Sequence, residues 1–203
     1  RRKAKEGELG GISTVYLGGG TPSHVGMPRL SMLLYTLGLS MRLEPDVECT
    51  MEANPESLTS SMVRDIWALG VNRLSIGVQS FDDHVLGILG RAHDAQGAKR
   101  AIACARERFE NVSVDLMCGI PGQSIESFED SVKTAIECGV SHVSVYPLTI
   151  EPHTPFDAMV LSGQLAEPDD DVEADHMRAA ERILSQAGYE RYEVASYAKP
   201  GFE

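Results

Sequence analysis

The chain has 203 residues, 42% hydrophobic and 24% charged, a balance that fits one globular domain with a real core. Eighteen Lys and Arg against 30 Asp and Glu leave a net charge of −12, which excludes the clustered basic surface of a nucleic-acid binder. No segment approaches the ~20 consecutive apolar residues of a membrane span and no signal-peptide pattern is visible, so the expected location is cytoplasmic.

In chain order, Arg1-Arg2-Lys3-Ala4-Lys5 is a short basic run that reads as a solvated helix end rather than a binding patch. Runs at 13–18, 47–52, 73–78, 111–116, 142–146 and 191–196 predict strands. The middle ones are short and apolar, as in strands covered on both faces. Helical spacing fills the intervals. Met62, Val63, Ile66 and Trp67 share one face, and so do Phe128, Val132, Ala135 and Ile136. Met177, Ala180, Ile183, Leu184 and Ala187 form a third stripe, while Asp94 and Ser124 stand at N-cap positions. Three helical segments run into Gly70, Gly139 and Gly188, and a strand candidate follows each within a few residues. Glycine takes the left-handed position after a helix without penalty. Strands alternating with helices predict βαβ units, a parallel sheet and an α/β fold.

Polar residues stand at the carboxyl ends of the predicted strands. Gly18-Gly19-Gly20-Thr21-Pro22 follows the first, Glu52 and Asn54 the second, and Gln79 and Ser80 the third. Asp115 lies within the fourth, between Val114 and Leu116, and Tyr146 and Thr149 follow the fifth. Parallel βα architecture puts such ends on one face, where these folds bind ligands, and the clustering favours a barrel over an open sheet. Three glycines let a backbone approach a ligand closely. Glu52 and Asp115 can accept from ribose hydroxyls or pair with an ammonium, Gln79 can donate and accept, and Arg91 can pair with a ligand carboxylate. A small polar ligand with an amino-acid end and a ribose fits these groups.

Each element also has a plainer reading. The glycines form a sharp turn, Glu52 is a solvated strand-end carboxylate, and Gln79 caps a loop. Asp115 is buried against a structural amide, and Arg91 and His93 are surface residues of a glycine-rich loop. Met117 and Cys118 read as core packing. Cys49, Cys104, Cys118 and Cys138 have no metal-type spacing and read as reduced thiols. His24, His142, His153 and His176 show no mutual spacing for a metal and read as structural.

Thr14-Val15-Tyr16-Leu17-Gly18-Gly19-Gly20-Thr21-Pro22-Ser23 resembles a motif of the radical S-adenosylmethionine (SAM) coproporphyrinogen dehydrogenases and the haem chaperones related to them. Glu52-Ala53-Asn54-Pro55, Arg73 to Phe81 and Leu89-Gly90-Arg91-Ala92-His93 resemble the segments that follow. Val114 to Gln123 and Tyr146 to Glu151 complete the set, in order along nearly the whole chain. The resemblance implies a partial (β/α)6 barrel, TIM-like, with its first strand missing. Residues 1–165 would be the barrel core, and 166–203 a helix and strand leading into a C-terminal domain. It implies that Gly18, Gly19, Gly20 and Thr21 bind the methionine end of SAM. Glu52, Gln79, Arg91, Asp115 and Thr149 would hold SAM's polar edges, and Gly119-Ile120-Pro121-Gly122 would lie near the adenine.

The resemblance further implies a [4Fe-4S] cluster whose Cys-x3-Cys-x2-Cys ligands are expected upstream of this chain. None of the four cysteines present is expected to be a ligand, and the chain as it stands is not expected to cleave SAM. A chain without the first strand is expected to be poorly soluble. Haem is the further cofactor implied. The implied partners are a tetrapyrrole, an electron-donor protein and a haem-acceptor protein at a membrane. Leu148 to Pro152 and Tyr192 to Gly201 resemble the haem-chaperone branch more than the dehydrogenases. The expected function is therefore a haem chaperone of porphyrin metabolism. The alternatives are an oxygen-independent coproporphyrinogen III oxidase and a generic barrel enzyme that binds a sugar phosphate at Gly18–Thr21.

Overall fold

The computed structural model describes residues 10–203, so the basic run Arg1 to Lys5 lies outside the described residues. The elements in order are β1 (Ile12–Leu17), α1 (Met27–Ser40), β2 (Leu43–Ala53), α2 (Ser60–Ala68), β3 (Arg73–Gln79), α3 (Asp83–Ile88) and α4 (Ala95–Arg106). They continue with β4 (Asn111–Cys118), α5 (Ile125–Glu137), β5 (His142–Pro147), α6 (Pro155–Leu161), α7 (Asp170–Gln186), β6 (Glu190–Arg191) and β7 (Ser196–Ala198). The strands form one sheet in the order β1-β2-β3-β4-β5-β7-β6. The described chain divides into two compact units, 10–77 with 97–113, and 78–96 with 114–203.

In the first unit β1 pairs parallel with β2, and β2 parallel with β3, with Leu17 opposite Met51 and Ala53 opposite Ile76. The carboxyl ends of these strands therefore share one edge. Met51, Ala53, Leu74 and Ile76 are buried, as are Met62, Val63 and Ile66 of α2 and Ile102 of α4. Each large aliphatic among them contributes about 1.5–3 kcal/mol by leaving water. The Thr59 hydroxyl caps α2 by accepting from the Met62 amide, and Gly70 ends it at φ 96°. Trp67, expected on the buried stripe, is instead 49% exposed, with the Arg108 guanidinium 5.9 Å from its ring centre. One helix turn holds only so wide a stripe. Met62, Val63 and Ile66 fill it, and Trp67 lies outside, where its ring attracts a cation.

In the second unit Val114, Leu116 and Cys118 of β4 are buried with Val143 and Val145 of β5. Phe128, Val132 and Ala135 of α5 and Ala180, Ile183 and Leu184 of α7 are buried as well. Ser124 caps α5, its Oγ accepting from the Ser127 amide at 3.2 Å. α4 begins directly after Asp94, and its first amide, that of Ala95, donates to Asp83 Oδ1 at 2.7 Å. Gly139 and Gly188 take the expected left-handed conformation, at φ 72° and 82°.

The run at 191–196 is not one strand. It is broken into β6 and β7, which pair antiparallel with each other, and β7 also runs antiparallel to β5. The cause is side-chain hydrogen bonding to backbone. Arg191 donates to the carbonyls of Glu193 and Val194, and the Glu193 carboxylate accepts from the Ala195 amide at 3.1 Å. These bonds close a turn inside a sequence whose β-branched and aromatic residues read as continuous strand.

Candidate functional site

In the first unit the glycine turn follows β1 directly. Gly19 and Gly20 sit at φ 84° and 146°, backbone that residues with a Cβ rarely adopt. Gly18 is required for a different reason. A Cβ there would meet Glu52 Oε1 at 2.6 Å and the Tyr16 ring at 2.7 Å. Tyr16 donates its hydroxyl to Glu52 Oε1 at 2.9 Å, so the carboxylate is held against the turn. Asn54 Nδ2 donates to Thr21 Oγ1 at 3.3 Å, which ties the end of β2 to the same turn. Ser57 Oγ and Ser23 Oγ, 2.6 Å apart, make a second tie. The turn edges a cavity of about 260 Å³ whose apolar wall includes Leu17, Val25, Leu30 and Leu33. Backbone N–H and C=O groups beside an apolar wall, with a fixed carboxylate near, suit an amino acid with an apolar side chain.

In the second unit β3 ends on Gln79 at φ 70°, left-handed backbone on a buried residue that carries a side chain. The Ser80 amide donates to the Val78 carbonyl at 2.9 Å, closing a three-residue turn around Gln79. His93 Nε2 lies 3.0 Å from the same carbonyl, so Nε2 carries the proton and donates. Tyr146 donates to Gln79 Oε1 at 3.1 Å. The Phe81 amide donates to Ser131 Oγ at 3.0 Å, fastening the next residues to α5. A left-handed non-glycine residue costs about 1–2 kcal/mol, and surroundings that over-determine it mark functional positions.

The other expected site residues also fall in the second unit. Arg91 is half-buried just after α3, its amide donating to the Leu86 carbonyl at 3.0 Å. His93, read as a surface residue, is buried. Asp115 is half-buried rather than buried, on the face of β4 that it shares with Met117. It stays partly open because Val114, Leu116 and Cys118 take the opposite, fully covered face. Thr149 is exposed, one residue beyond Leu148, whose amide donates to the Cys118 carbonyl at 3.0 Å. After β4 the chain turns at Gly119 and Gly122, and Ile120 is buried with Val85 and Leu148. The geometry thus brings Gly18–Thr21 together with Glu52, and Gln79 together with Tyr146. Tyr16 is the positioning group that the residue pattern does not single out; Asn54 stands out only as a polar strand-end residue, and His93 reads as exposed. The period of two that places Tyr16 and Gly18 on one face of β1 was the available signal for Tyr16.

A larger cavity of about 620 Å³ lies between α5 and α7, lined by Gln123, Ile125, Val172, His176, Arg178 and Ala179 among others. None of the expected site residues lines it. His176 forms part of its wall and accepts from the Gly119 amide at Nδ1, 3.1 Å away. Burial lowers the His176 pKa from its ordinary value. Burial, reinforced by Glu173, pushes the Cys118 thiol up to about 12.

Parallel strands alternating with helices, with the glycine turn and Gln79 each standing at a strand's carboxyl end, define an α/β protein of the partial-barrel class. The Radical SAM superfamily model matches residues 1–135, and the chain belongs to that superfamily. It is 42% identical over 193 residues to the haem chaperone HemW of Escherichia coli, covering 95% of this chain and 50% of that protein. To HemW of Synechocystis sp. it is 36% identical, covering 95% of this chain and 47% of the other. Its fold is similar to that of coproporphyrinogen III oxidase (HemN) from Escherichia coli, with a TM-score of 0.81 at 27% identity over 94% of this chain and 44% of that one. The chain spans about half the length of the curated relatives it matches.

The superfamily implies SAM and a [4Fe-4S] cluster. The glycine turn with Glu52, and Gln79 at its own strand end, fit the donors and acceptors of SAM. The cysteines do not fit a cluster. None of the four is in a disulfide, Cys49 and Cys118 are buried, and no three His, Cys, Asp or Glu side chains among the described residues are placed to hold a metal. No helix among the described residues is long and apolar enough to cross a membrane.

Proposed function

We propose that this chain is the SAM-binding part of a haem chaperone. The observation that carries SAM recognition is the Tyr16–Glu52–Gly18 arrangement, in which a glycine leaves room for a carboxylate held by a neighbouring phenol. In this reading the turn from Gly18 to Thr21 takes the methionine end of SAM, and Glu52 pairs with its ammonium. Gln79, Arg91, Asp115 and Thr149 bind the carboxylate and ribose, and the Gly119–Gly122 loop faces the adenine. SAM held by these residues, together with the cluster the superfamily implies, would supply radical chemistry. The likeness over 95% of the chain to proteins named haem chaperones supports haem as cargo; an electron-donor protein and a haem acceptor at a membrane are further parts of this proposal. The second reading, coproporphyrinogen III decarboxylation, rests on the likeness to HemN. Superfamily membership favours SAM over a sugar phosphate at the glycine turn.

The test uses the natural full-length polypeptide with its cluster reconstituted without oxygen. It is incubated with SAM, a reductant and coproporphyrinogen III, and the tetrapyrroles are read by mass spectrometry beside a haem-binding titration. Stable haem binding without decarboxylation supports the chaperone. Loss of two carboxyl groups replaces it with the oxidase.

A further inference from the structure

The loop that leaves β4 is gripped from α7, a helix beyond residue 135 where the superfamily match ends. The Gly119 amide is the first after β4, and its acceptor is His176 Nδ1, 57 residues away. His176 is 1% exposed and stacks on Phe128, with ring centres 4.8 Å apart and planes at 17°. Accepting at Nδ1 requires the neutral ring with its proton on Nε2. One turn earlier on α7, Glu173 lies against Gly119 so closely that any Cβ there would collide with its Cγ. Gly119 also sits at φ 69°, so both backbone and neighbour demand glycine. The far side of the loop is held by Gln123, whose amide donates to the Ile120 carbonyl at 2.8 Å and whose Nε2 donates to the Met117 carbonyl at 3.3 Å. A histidine serving only as core filler has no reason to use its lone pair on this one amide.

We infer that His176 is a positioning residue: its Nδ1 lone pair orients the Gly119 amide and so sets the Gly119–Gly122 loop for SAM. The inference rests on the reading that this loop faces the adenine. His176 acts through the backbone and does not touch SAM itself.

The experiment compares wild type, His176→Phe and His176→Asn in the full-length polypeptide with its cluster reconstituted. Phenylalanine keeps the stack on Phe128 and loses the acceptor. Asparagine keeps an acceptor close to the Nδ1 position. Two quantities are measured: the SAM dissociation constant, and amide exchange of the peptide spanning β4 and its exit loop without SAM. In H176F, exchange at Gly119 and Ile120 and the SAM dissociation constant should each rise about tenfold, the size of one buried donor left without a partner. H176N should restore both to within about threefold of wild type. H176M, of similar volume and without a strong acceptor, replaces H176F if that variant does not fold. Unchanged exchange overturns the inference, and so does raised exchange with unchanged SAM affinity. Wild-type protein that binds no SAM overturns the functional reading itself, and the inference with it.

Discussion

Tyr16 and Glu52 are joined by a 2.9 Å hydrogen bond that passes over Gly18, where a side chain would occupy the space of both. The phenol and the carboxylate come from adjacent parallel strands in the register that places Tyr16 opposite Thr50. Glu52 is thereby directed by a neighbour rather than by its own rotamer.

Gly18 and Gly19 should fail differently when replaced by alanine. At Gly18 the obstacles are the ends of flexible side chains, so Gly18→Ala should cost little stability, under about 1 kcal/mol, while moving Glu52 aside. At Gly19 nothing obstructs a Cβ, but φ is 84°, and Gly19→Ala should cost about 1–2 kcal/mol. SAM titration should show the larger affinity loss for G18A, and urea unfolding the larger stability loss for G19A. The reverse ranking would mean that Gly18 is needed for its backbone and not for the space beside Glu52.

Gln79 offers a second paired test. Alanine and glycine both remove the amide that accepts from Tyr146, so the two variants differ only in backbone terms. Within a strand, glycine is normally the less stable of the two. At φ 70° the order should invert, with Gln79→Gly more stable than Gln79→Ala by about 1 kcal/mol. Equal stabilities in denaturant melts would remove the case for strain at the end of β3. Both variants should bind SAM more weakly than wild type.

Stability should fall on acidification through His176. Burial lowers its pKa below the ordinary 6.5, so the unfolded chain takes up the proton first. The contribution is complete above about 6.5, declines below it, and is lost as pH falls through the folded-state value. Charged groups that line the same cavity as His176 are Asp175, Arg178 and Arg182 on its own helix and Glu129 on α5, and Glu173 lies one turn earlier on α7. Asp175 opposes part of the shift. Glu173 acts in the other sense, since burial raises its pKa and its stabilising share is lost as pH rises. Urea melts of wild type and His176→Asn across pH 5 to 8 separate the two, because only the histidine share disappears in the variant. Identical pH profiles would show that His176 keeps its ordinary pKa in the fold.

The thiols should divide by position. Burial raises the Cys49 pKa and pushes Cys118 up to about 12, so neither presents a thiolate near neutral pH. Iodoacetamide at pH 8 should leave both unmodified in the native protein and alkylate all four cysteines after unfolding. Mass mapping of the labelled peptides reads the result, and fast native labelling of Cys118 would contradict its burial.

Much of the sheet is legible from local pattern. The runs at 73–78, 111–116 and 142–146 lie inside β3, β4 and β5, where Val, Ile and Leu recur at alternate positions, the period of a strand. Gly70, Gly139 and Gly188 mark helix ends because a left-handed residue without glycine is costly there. The break between β6 and β7 is not legible, since it depends on where Arg191 and Glu193 direct their side chains. The same limit holds for the site. Gly18–Thr21, Glu52 and Gln79 stand out as residue types at strand ends. The hydrogen bonds that orient them join residues 36 and 67 positions apart, and His176 reaches Gly119 over 57. Nothing in the neighbourhood of His176 along the chain marks its partner.

The antiparallel β7 has a topological consequence. It occupies the edge of β5 where another parallel strand would otherwise pair, and it is itself covered by the two-residue β6. β1 stands at the opposite margin, with β2 on one side and no strand on the other among the described residues. The two borders of the sheet therefore differ in kind. At one the chain direction reverses through β7 and β6, and at the other, among the described residues, the parallel strand β1 lies at the margin beside the glycine turn. A strand laid against β1 would run next to the residues proposed to receive SAM.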